Sequence, residues 1–259
     1  MAVHPSAIVA PDAKIHPECE IGPYAIVGSG VTIGARTTVG AHAVIEGPTT
    51  IGEANRIHAH AALGGPPQDL KYKGEPTTLV IGNRNTFREF STAHRGTATG
   101  HGTTVIGDDN LFMAYCHVAH DCVVGNRTVF ANGASLAGHC TVEDDVILGA
   151  FVGVRQFLRI GRFAFLGAFT PVNKDVLPFC WTSSERETRA WKVNSVGLSR
   201  KGYSDARVKA LQKAYRLLHR HRHDQKALLA ALAELSAASE DVKFLHDFVA
   251  GSEQGIHGA

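Results

Sequence analysis

Aliphatic residues return at every sixth position from the start of the chain, so that Val3, Val9, Ile15, Ile21, Val27, Ile33, Val39, Ile45, Ile51, Ile57 and Leu63 keep one unbroken phase. Glycine often follows (Gly22, Gly28, Gly34, Gly40, Gly52, Gly64), and the residue two places before is usually small, as in Ala7, Ala13, Cys19, Ala25, Thr37, Ala43, Thr49 and Ala61. The phase lapses, resumes for Ile81, Phe87 and Ala93, lapses again, and then runs from Ile106 through Phe112, Val118, Val124, Phe130, Leu136, Val142, Leu148, Val154, Ile160 and Leu166 to Val172. Six residues suit one short strand and a turn, and three such units make a triangular coil whose aliphatic positions stack inside. The pattern predicts a parallel β-helix of roughly eight to nine coils of about 18 residues, with hydrogen bonds between coils at ~4.8 Å and a length of roughly 40 Å.

Two segments, Gly65 to Val80 and Arg95 to Val105, keep no aliphatic phase and read as loops thrown out from the corners (65–80 and 95–105); the first contains GGPPQDLKYKGEPTT. Such loops in a regular solenoid are often functional, since they add nothing to its core. The hexads stop near Val176, and Pro178 punctuates the end. The chain divides into a β-helix over 1–177, a linker over 178–199 and an α-helical C-terminal domain over 200–259. Ser204 is a candidate N-cap, Val208, Leu211, Tyr215 and Leu218 make one apolar stripe, and Leu228 to Leu235 and Val242 to Val249 predict further helices. The fold class expected is mainly β, a hexapeptide-repeat β-helix with a helical C-terminal domain.

Composition agrees with strands and tight turns: 27 Gly stand against 2 Met and 2 Trp in 259 residues. A net charge of +2 gives no support for bulk nucleic-acid binding. No run of apolar residues is long enough for an integral membrane segment, and the first twenty residues lack a signal peptide's basic and apolar regions, so the expected location is cytoplasmic. Five cysteines without CxxC spacing argue against a disulfide framework and a four-cysteine zinc site; Cys19, Cys116, Cys122 and Cys140 take the small inward position of their hexads, which predicts packing. Charge is uneven: residues 1–180 carry 13 basic and 15 acidic side chains, 200–226 carry 9 and 2, and 227–259 carry 1 and 5. The basic stretch includes Arg207, Lys209, Lys213, Arg216, Arg220 and Arg222. It reads as a solvated helix face, a docking surface for an acidic macromolecule, or a nucleic-acid contact.

In a coil of 18, residues 18 apart lie one above the other. His120, Gly138 and Gln156 form one such column, and Asp121 and His139 the neighbouring one. An imidazole that can take a proton from an alcohol, a carboxylate to fix its tautomer, and a glycine N–H to hold an oxyanion thus fall about one coil spacing, ~5 Å, apart, and these are the parts of an acyl-transfer site. Metal is a competing use, because trimeric proteins of this repeat class, such as carbonic anhydrases, hold zinc with three histidines. Their H-x4-H pair is fitted poorly here, where His117 and His120 are H-x2-H and His139 lies 19 further on.

The strings HVAHDCVVGNRTVFANGASLAGH (117–139) and QDLKYKGEPT (68–77), with Arg200 and Lys201 before Gly202, resemble the UDP-N-acetylglucosamine acyltransferases, which open lipid A biosynthesis. The similarity spans nearly the whole chain. The resemblance implies a left-handed β-helix, a homotrimer in a Gram-negative cytoplasm, and active sites between neighbouring prisms. Its partners would be acyl carrier protein as acyl donor and UDP-N-acetylglucosamine as acceptor, with no metal and no bound cofactor. Carried over by position, it makes His120 the general base, Asp121 the group that orients it, and Gly138 the oxyanion N–H. Asp69, Lys71, His94, His117, His139 and Gln156 match positions that contact the sugar or acyl group. Asn194, Arg200 and Lys201 match the nucleotide end, where Arg and Lys suit a diphosphate.

Three positions depart from that pattern. Arg155 stands where the family usually has His, Val196 where it often has Glu, and Ala168, beside Phe169, where a Gly commonly ends the acyl groove. They leave open the acyl length and whether the acceptor presents a 3-hydroxyl or a 3-amino group. Other readings are a related hexapeptide N-acyl- or acetyltransferase and a non-catalytic trimeric scaffold or sugar-nucleotide binder. The later N-acyltransferase of the pathway normally carries an additional N-terminal domain, whereas the hexads here begin by Val3.

Overall fold

The hexad phase becomes a triangular prism. A computed structural model describes residues 2–184, 188–221 and 223–257. Among them, short strands form three sheets of eleven, nine and eight strands, stacked in parallel with each strand pairing to the one a coil away except at the last strand of the first sheet, which is antiparallel. The first sheet starts at Ala2–Val3, the second at Ile8–Val9 and the third at Lys14–Ile15, and the chain visits them in that order in every coil. In-phase aliphatics lie in register, as in Val118 on Leu136, Leu136 on Val154 and Val154 on Val172, and fill the interior. Phe87, Phe112 and Phe130 stack inside the first sheet at centroid spacings of 4.7 and 4.8 Å. Cys19, Cys116, Cys122 and Cys140 are buried free thiols, packed at the inner turns as their hexad position requires.

Turning three times per coil puts one residue of most corners at positive φ. At the first corner, between first and second sheets, these include His42, His60, Phe90, Tyr115, Phe151 and Phe169; at the second they include Asp121, His139 and Phe157; at the third they include Arg84, Arg127, Asp145 and Phe163. Three columns therefore run along the prism, one of them carrying the expected catalytic residues.

Both loops prove shorter than their lapse of phase suggested. The strand before the first reaches Gly65, and the strands after them, Thr78–Ile81 and Thr103–Ile106, pair with each other from Thr78↔Thr103 to Ile81↔Ile106. Their first three residues are β-branched or aliphatic but precede the in-phase position, so the hexad rule alone misses them.

Within the segment expected as a linker over 178–199, the described residues carry secondary structure. Cys180–Ser184 extends the first sheet beside Phe165–Leu166, Thr188–Val193 folds back antiparallel on it, and a short helix α1 follows at Ser195–Arg200. Long-range pairing decides this hairpin, and the local sequence carries no hexad or helical period to announce it. Three helices follow: α2 (Asp205–Arg220), α3 (Gln225–Ser236) and α4 (Glu240–Ala250), with Ser204, Asp224 and Ser239 as their N-caps. The buried stripe of α2 is Leu211, Ala214, Tyr215 and Leu218, with Val208 half-buried. The helices meet the end of the prism where the Tyr215 hydroxyl donates to the Pro178 carbonyl at 2.7 Å and Phe179 packs against Tyr203 and Phe244. No helix among the described residues is long and apolar enough to cross a membrane.

Candidate active site

The second corner holds the site because its αL residues turn their side chains out of the prism one coil apart. Asp121 has φ 58° and His139 φ 62°, and the His139 N–H donates to the His120 carbonyl at 3.0 Å, locking the two turns together. The His120 Nδ1 lies 2.9 Å from Asp121 Oδ2. Burial alone would raise the Asp121 carboxyl, but the Thr97 hydroxyl and amide and the His120 ring hold it below the usual carboxylate range. An ionised Asp121 only accepts, so the neutral His120 ring that fits it carries its proton on Nδ1 and leaves Nε2 bare.

Gly138 lies directly beneath that ring. A Cβ on it would stand 2.5 Å from His120 Cε1 and 2.7 Å from Nε2, so the imidazole occupies the space a side chain would need. Among the described residues the Gly138 N–H donates to no protein acceptor. A bare imidazole nitrogen and a spare N–H thus share one opening. It is a cleft of about 590 Å³ on the second sheet, lined by His117, His120, Gly138, Arg155 and Gln156, with Gln68 reaching in from the first loop.

Three further imidazoles stand near His120, of which His117 lines this opening and His139 faces a separate cleft with His101 and Phe157. Burial, then the neighbouring His94 and His120, push His117 down to about 4, and its Nδ1 shares a hydrogen bond of 2.7 Å with the Thr92 hydroxyl. His94, edge-on to His117 at 4.8 Å, is lowered by burial and then by His120 and Arg95. His139 is lowered chiefly by burial, against the pull of Asp121; it lies edge-on to His120 at 5.0 Å and stacks on Phe157 at 4.5 Å. Lowered in this way, all three favour the neutral form near pH 7.

His120, Asp121 and His139 bring donor atoms within 4.8 Å of one another, as metal ligands would. Asp121 is already engaged on both oxygens: the Thr97 hydroxyl donates to Oδ2 at 2.6 Å, the Thr97 N–H lies 3.0 and 3.2 Å from the pair, and the Gly102 N–H donates to Oδ1 at 3.1 Å. With the carboxylate saturated by N–H and O–H donors, the cluster fits a hydrogen-bonded dyad better than a ligand set.

The first loop folds back over the cleft. Its Asp69 accepts the Lys71 N–H at 2.9 Å, leaving the Lys71 side chain exposed. Arg95 holds the loop to the prism, donating to the carbonyls of Gly47 (2.8 Å) and Gly64 (2.5 Å) and to the Tyr72 hydroxyl (3.3 Å). The hexad period does not point to Arg95, Thr97, Gly102 or Gln68. Their partners are set by loops that break the period, and only the presence of those loops signalled them. Gln254 was missed as well; it takes a hydrogen bond of 2.9 Å from Arg155 and ties the C-terminal tail to the cleft wall.

One chain does not gather every expected residue. Asn194 caps α1, accepting the Gly197 N–H at 3.1 Å and donating to the Phe163 carbonyl at 3.1 Å. Lys201 pairs with Asp145 at 2.5 Å, beside Arg127, on the third corner, while Arg200 is exposed. Ala168 and Phe169 sit on the first corner, where Phe169 stacks on Phe151 at 5.2 Å.

The repeat and the tail both match known proteins. A family model for UDP-N-acetylglucosamine O-acyltransferase, domain 2, matches residues 175–257, and the bacterial transferase hexapeptide model matches 3–35, 12–47 and 103–138. An acyl-[acyl-carrier-protein]–UDP-N-acetylglucosamine O-acyltransferase of Verminephrobacter eiseniae is 48% identical over 258 residues, covering 98% of each chain. This chain belongs to the UDP-N-acetylglucosamine O-acyltransferase family. A second member, from Halorhodospira halophila, is 48% identical over 254 residues and again 98% of each chain is covered. Among solved structures, the Francisella novicida UDP-N-acetylglucosamine acyltransferase superposes with a TM-score of 0.96 at 34% identity, over 98% of this chain and 93% of that one. The Acinetobacter baumannii enzyme gives 0.96 at 38%, over 99% and 100%. The prism is accordingly the left-handed β-helix of an acyltransferase, and the scaffold reading is set aside.

Proposed function

We propose that the chain moves a 3-hydroxyacyl group from the thioester of acyl carrier protein to the 3-oxygen of the glucosamine of UDP-N-acetylglucosamine, the first step of lipid A biosynthesis. The observation that carries the reading is the His120 ring standing over Gly138, a base and an oxyanion donor facing one opening. In this reading His120 Nε2 takes the proton of the sugar hydroxyl as its oxygen attacks the thioester carbon. The Gly138 N–H receives the oxyanion, and collapse expels the thiolate, which recovers the proton from the imidazolium. Asp121 keeps the ring in its tautomer and offsets its charge. Asp69, Lys71, His94, His117, His139 and Gln156 contact the sugar and acyl group; no metal or cofactor enters the step.

The nucleotide end belongs to Asn194, Arg200 and Lys201, the last of which also pairs with Asp145. Because these stand at a corner other than that of His120, the reading takes them from a neighbouring copy in a homotrimer. The cytoplasm, where acyl carrier protein and nucleotide sugars meet, is the location it requires.

Acyl carrier protein docks on α2 in this reading. Lys209, Lys213, Arg216 and Arg220 recur at i, i+4, i+7 and i+11 and are exposed, forming one stripe opposite the buried face. Arg207 is not free to join them, since it is held by Asp241 at 2.8 Å and lies over the Tyr203 ring; Arg222 lies outside the described residues. Charge reversal by Arg216→Glu or Arg220→Glu is expected to raise KM for the acyl carrier protein thioester by roughly fivefold or more, with KM for the nucleotide sugar little changed, and added salt should act the same way. Equal effects on both substrates would return the stripe to a solvated face.

Ala168 bounds the acyl slot next to Phe169. Ala168→Gly is expected to shift preference toward longer 3-hydroxyacyl thioesters and Ala168→Met toward shorter ones, in graded steps, since one methylene is worth only ~1–3 kcal/mol. Competition between thioesters of different length reads this directly, and an unchanged profile in both variants would remove Ala168 as the ruler. The reaction itself is tested by offering defined acyl carrier protein thioesters with UDP-N-acetylglucosamine and with its 3-amino analogue. Ester formation with the first is expected. Transfer to neither, or to the amine alone, would overturn the reading.

A further inference from the structure

The second loop bonds directly to the dyad. Residues 95–102 leave the coil after His94, and the loop returns its Thr97 and Gly102 onto Asp121. Four donors converge on that carboxylate: the Thr97 hydroxyl, the Thr97 and Gly102 amides, and His120. Behind it, the Asp121 N–H donates to the Thr104 hydroxyl at 2.8 Å. The closeness depends on glycine. A Cβ at Gly100 would stand 2.4 Å from the Asp121 carboxyl carbon, and one at Gly96 would stand 2.9 Å from Oδ1 and 2.3 Å from the Thr103 nitrogen. The result is a carboxylate with no exposed surface, beside an imidazole that keeps 14% of its own.

A buried carboxylate with two equivalent oxygens could meet its imidazole in several rotations, and only one leaves Nε2 pointing into the cleft. The Thr97 hydroxyl and His120 Nδ1 share Oδ2, while Gly102 takes Oδ1, so the two oxygens are made unlike and rotation is blocked. Thr97 is the one loop residue that contributes a side-chain donor to this carboxylate among the described residues.

We propose that Thr97 is a positioning residue for acyl transfer, acting through Asp121, and that the loop over 95–102 serves as the cradle of the dyad. The inference rests on the reading of His120 and Asp121 as the catalytic pair. Thr97 touches no reacting atom. Its removal frees the carboxylate to tilt, which misdirects the imidazole while leaving the substrate contacts in place.

The experiment is a mutant cycle on the full-length enzyme with both substrates saturable. Thr97→Val, which keeps shape and loses the hydroxyl, is expected to lower kcat about tenfold, as the loss of a charge-assisted hydrogen bond would, with both KM values within about twofold of wild type. Thr97→Ser, which restores the hydroxyl, should return kcat to within about twofold. In an Asp121→Asn background, Thr97→Val should add less than about twofold, because its route to the reaction is already cut. Wild-type kcat in Thr97→Val, full multiplication of the two losses, or an equal loss in Thr97→Ser accompanied by a lower melting temperature would each overturn the proposal. Asp121→Asn and His120→Ala alone, run in the same series, test the underlying reading: if they keep wild-type turnover, the dyad itself is wrong, whatever Thr97 does.

Discussion

His120→Ala is expected to lower kcat by about 10²-fold or more with the fold intact, since a positioned general base is typically worth 10²–10⁴. The variant removes the nitrogen proposed to take the hydroxyl proton and nothing that holds the coil. Asp121 would keep its Thr97 and Gly102 donors, so its charge would not be left bare in the interior, and the backbone bond from His139 to residue 120 does not involve the ring. Circular dichroism and thermal melting should match wild type while turnover falls. Activity near wild type in a folded variant would end the assignment of His120 as base.

Gly138→Ala should be as damaging by a different route. The φ of Gly138 is one that any L-residue can adopt, so alanine fits the backbone, and its N–H is unchanged. What it cannot do is share space with His120, whose ring would lie 2.5 to 3.0 Å from the new methyl. The ring must swing aside, and its 2.9 Å bond to Asp121 is lost or bent. A fall in kcat of about 10²-fold or more is expected, since displacing the proposed base removes most of what it would contribute. The structure of the variant would then show His120 in a new rotamer with the prism unaltered. If the ring stays in place and activity is lost, the oxyanion role of residue 138 would have to explain the loss instead; if activity is kept, the packing of ring on glycine has no part in catalysis.

Legibility in the sequence followed the period. Wherever 18 residues mean one coil, separation converts to adjacency, which is why His120, Gly138 and Gln156 could be aligned without coordinates, and why the cysteines could be placed inside. Ser204 and the α2 stripe were readable for a similar reason, a local signal with a fixed helical spacing. Where the period breaks, the conversion fails. Thr97 meets Asp121 across 24 residues and Gly102 meets it across 19, distances set by how much chain the loop consumes. The hairpin over 180–193 and the pairing of Lys201 with Asp145, 56 residues away, have no local mark at all. The framework was legible, and the residues that clasp the site into it were not.

The two loops look like an expensive addition to a regular prism, yet chain entropy says otherwise. An ordinary intercoil contact closes 18 residues, as between Asn110 and Thr128, whereas the contact between Asn55 and Asn85, spanning the first loop, closes 30. Because closure entropy grows only as the logarithm of length, the longer circuit adds roughly half a kcal/mol. A scaffold whose contacts are all of similar, short range can therefore accept an inserted segment at any corner for little loss of stability, and the second corner, where both loops leave the coil, is where such insertions can reach over the cleft.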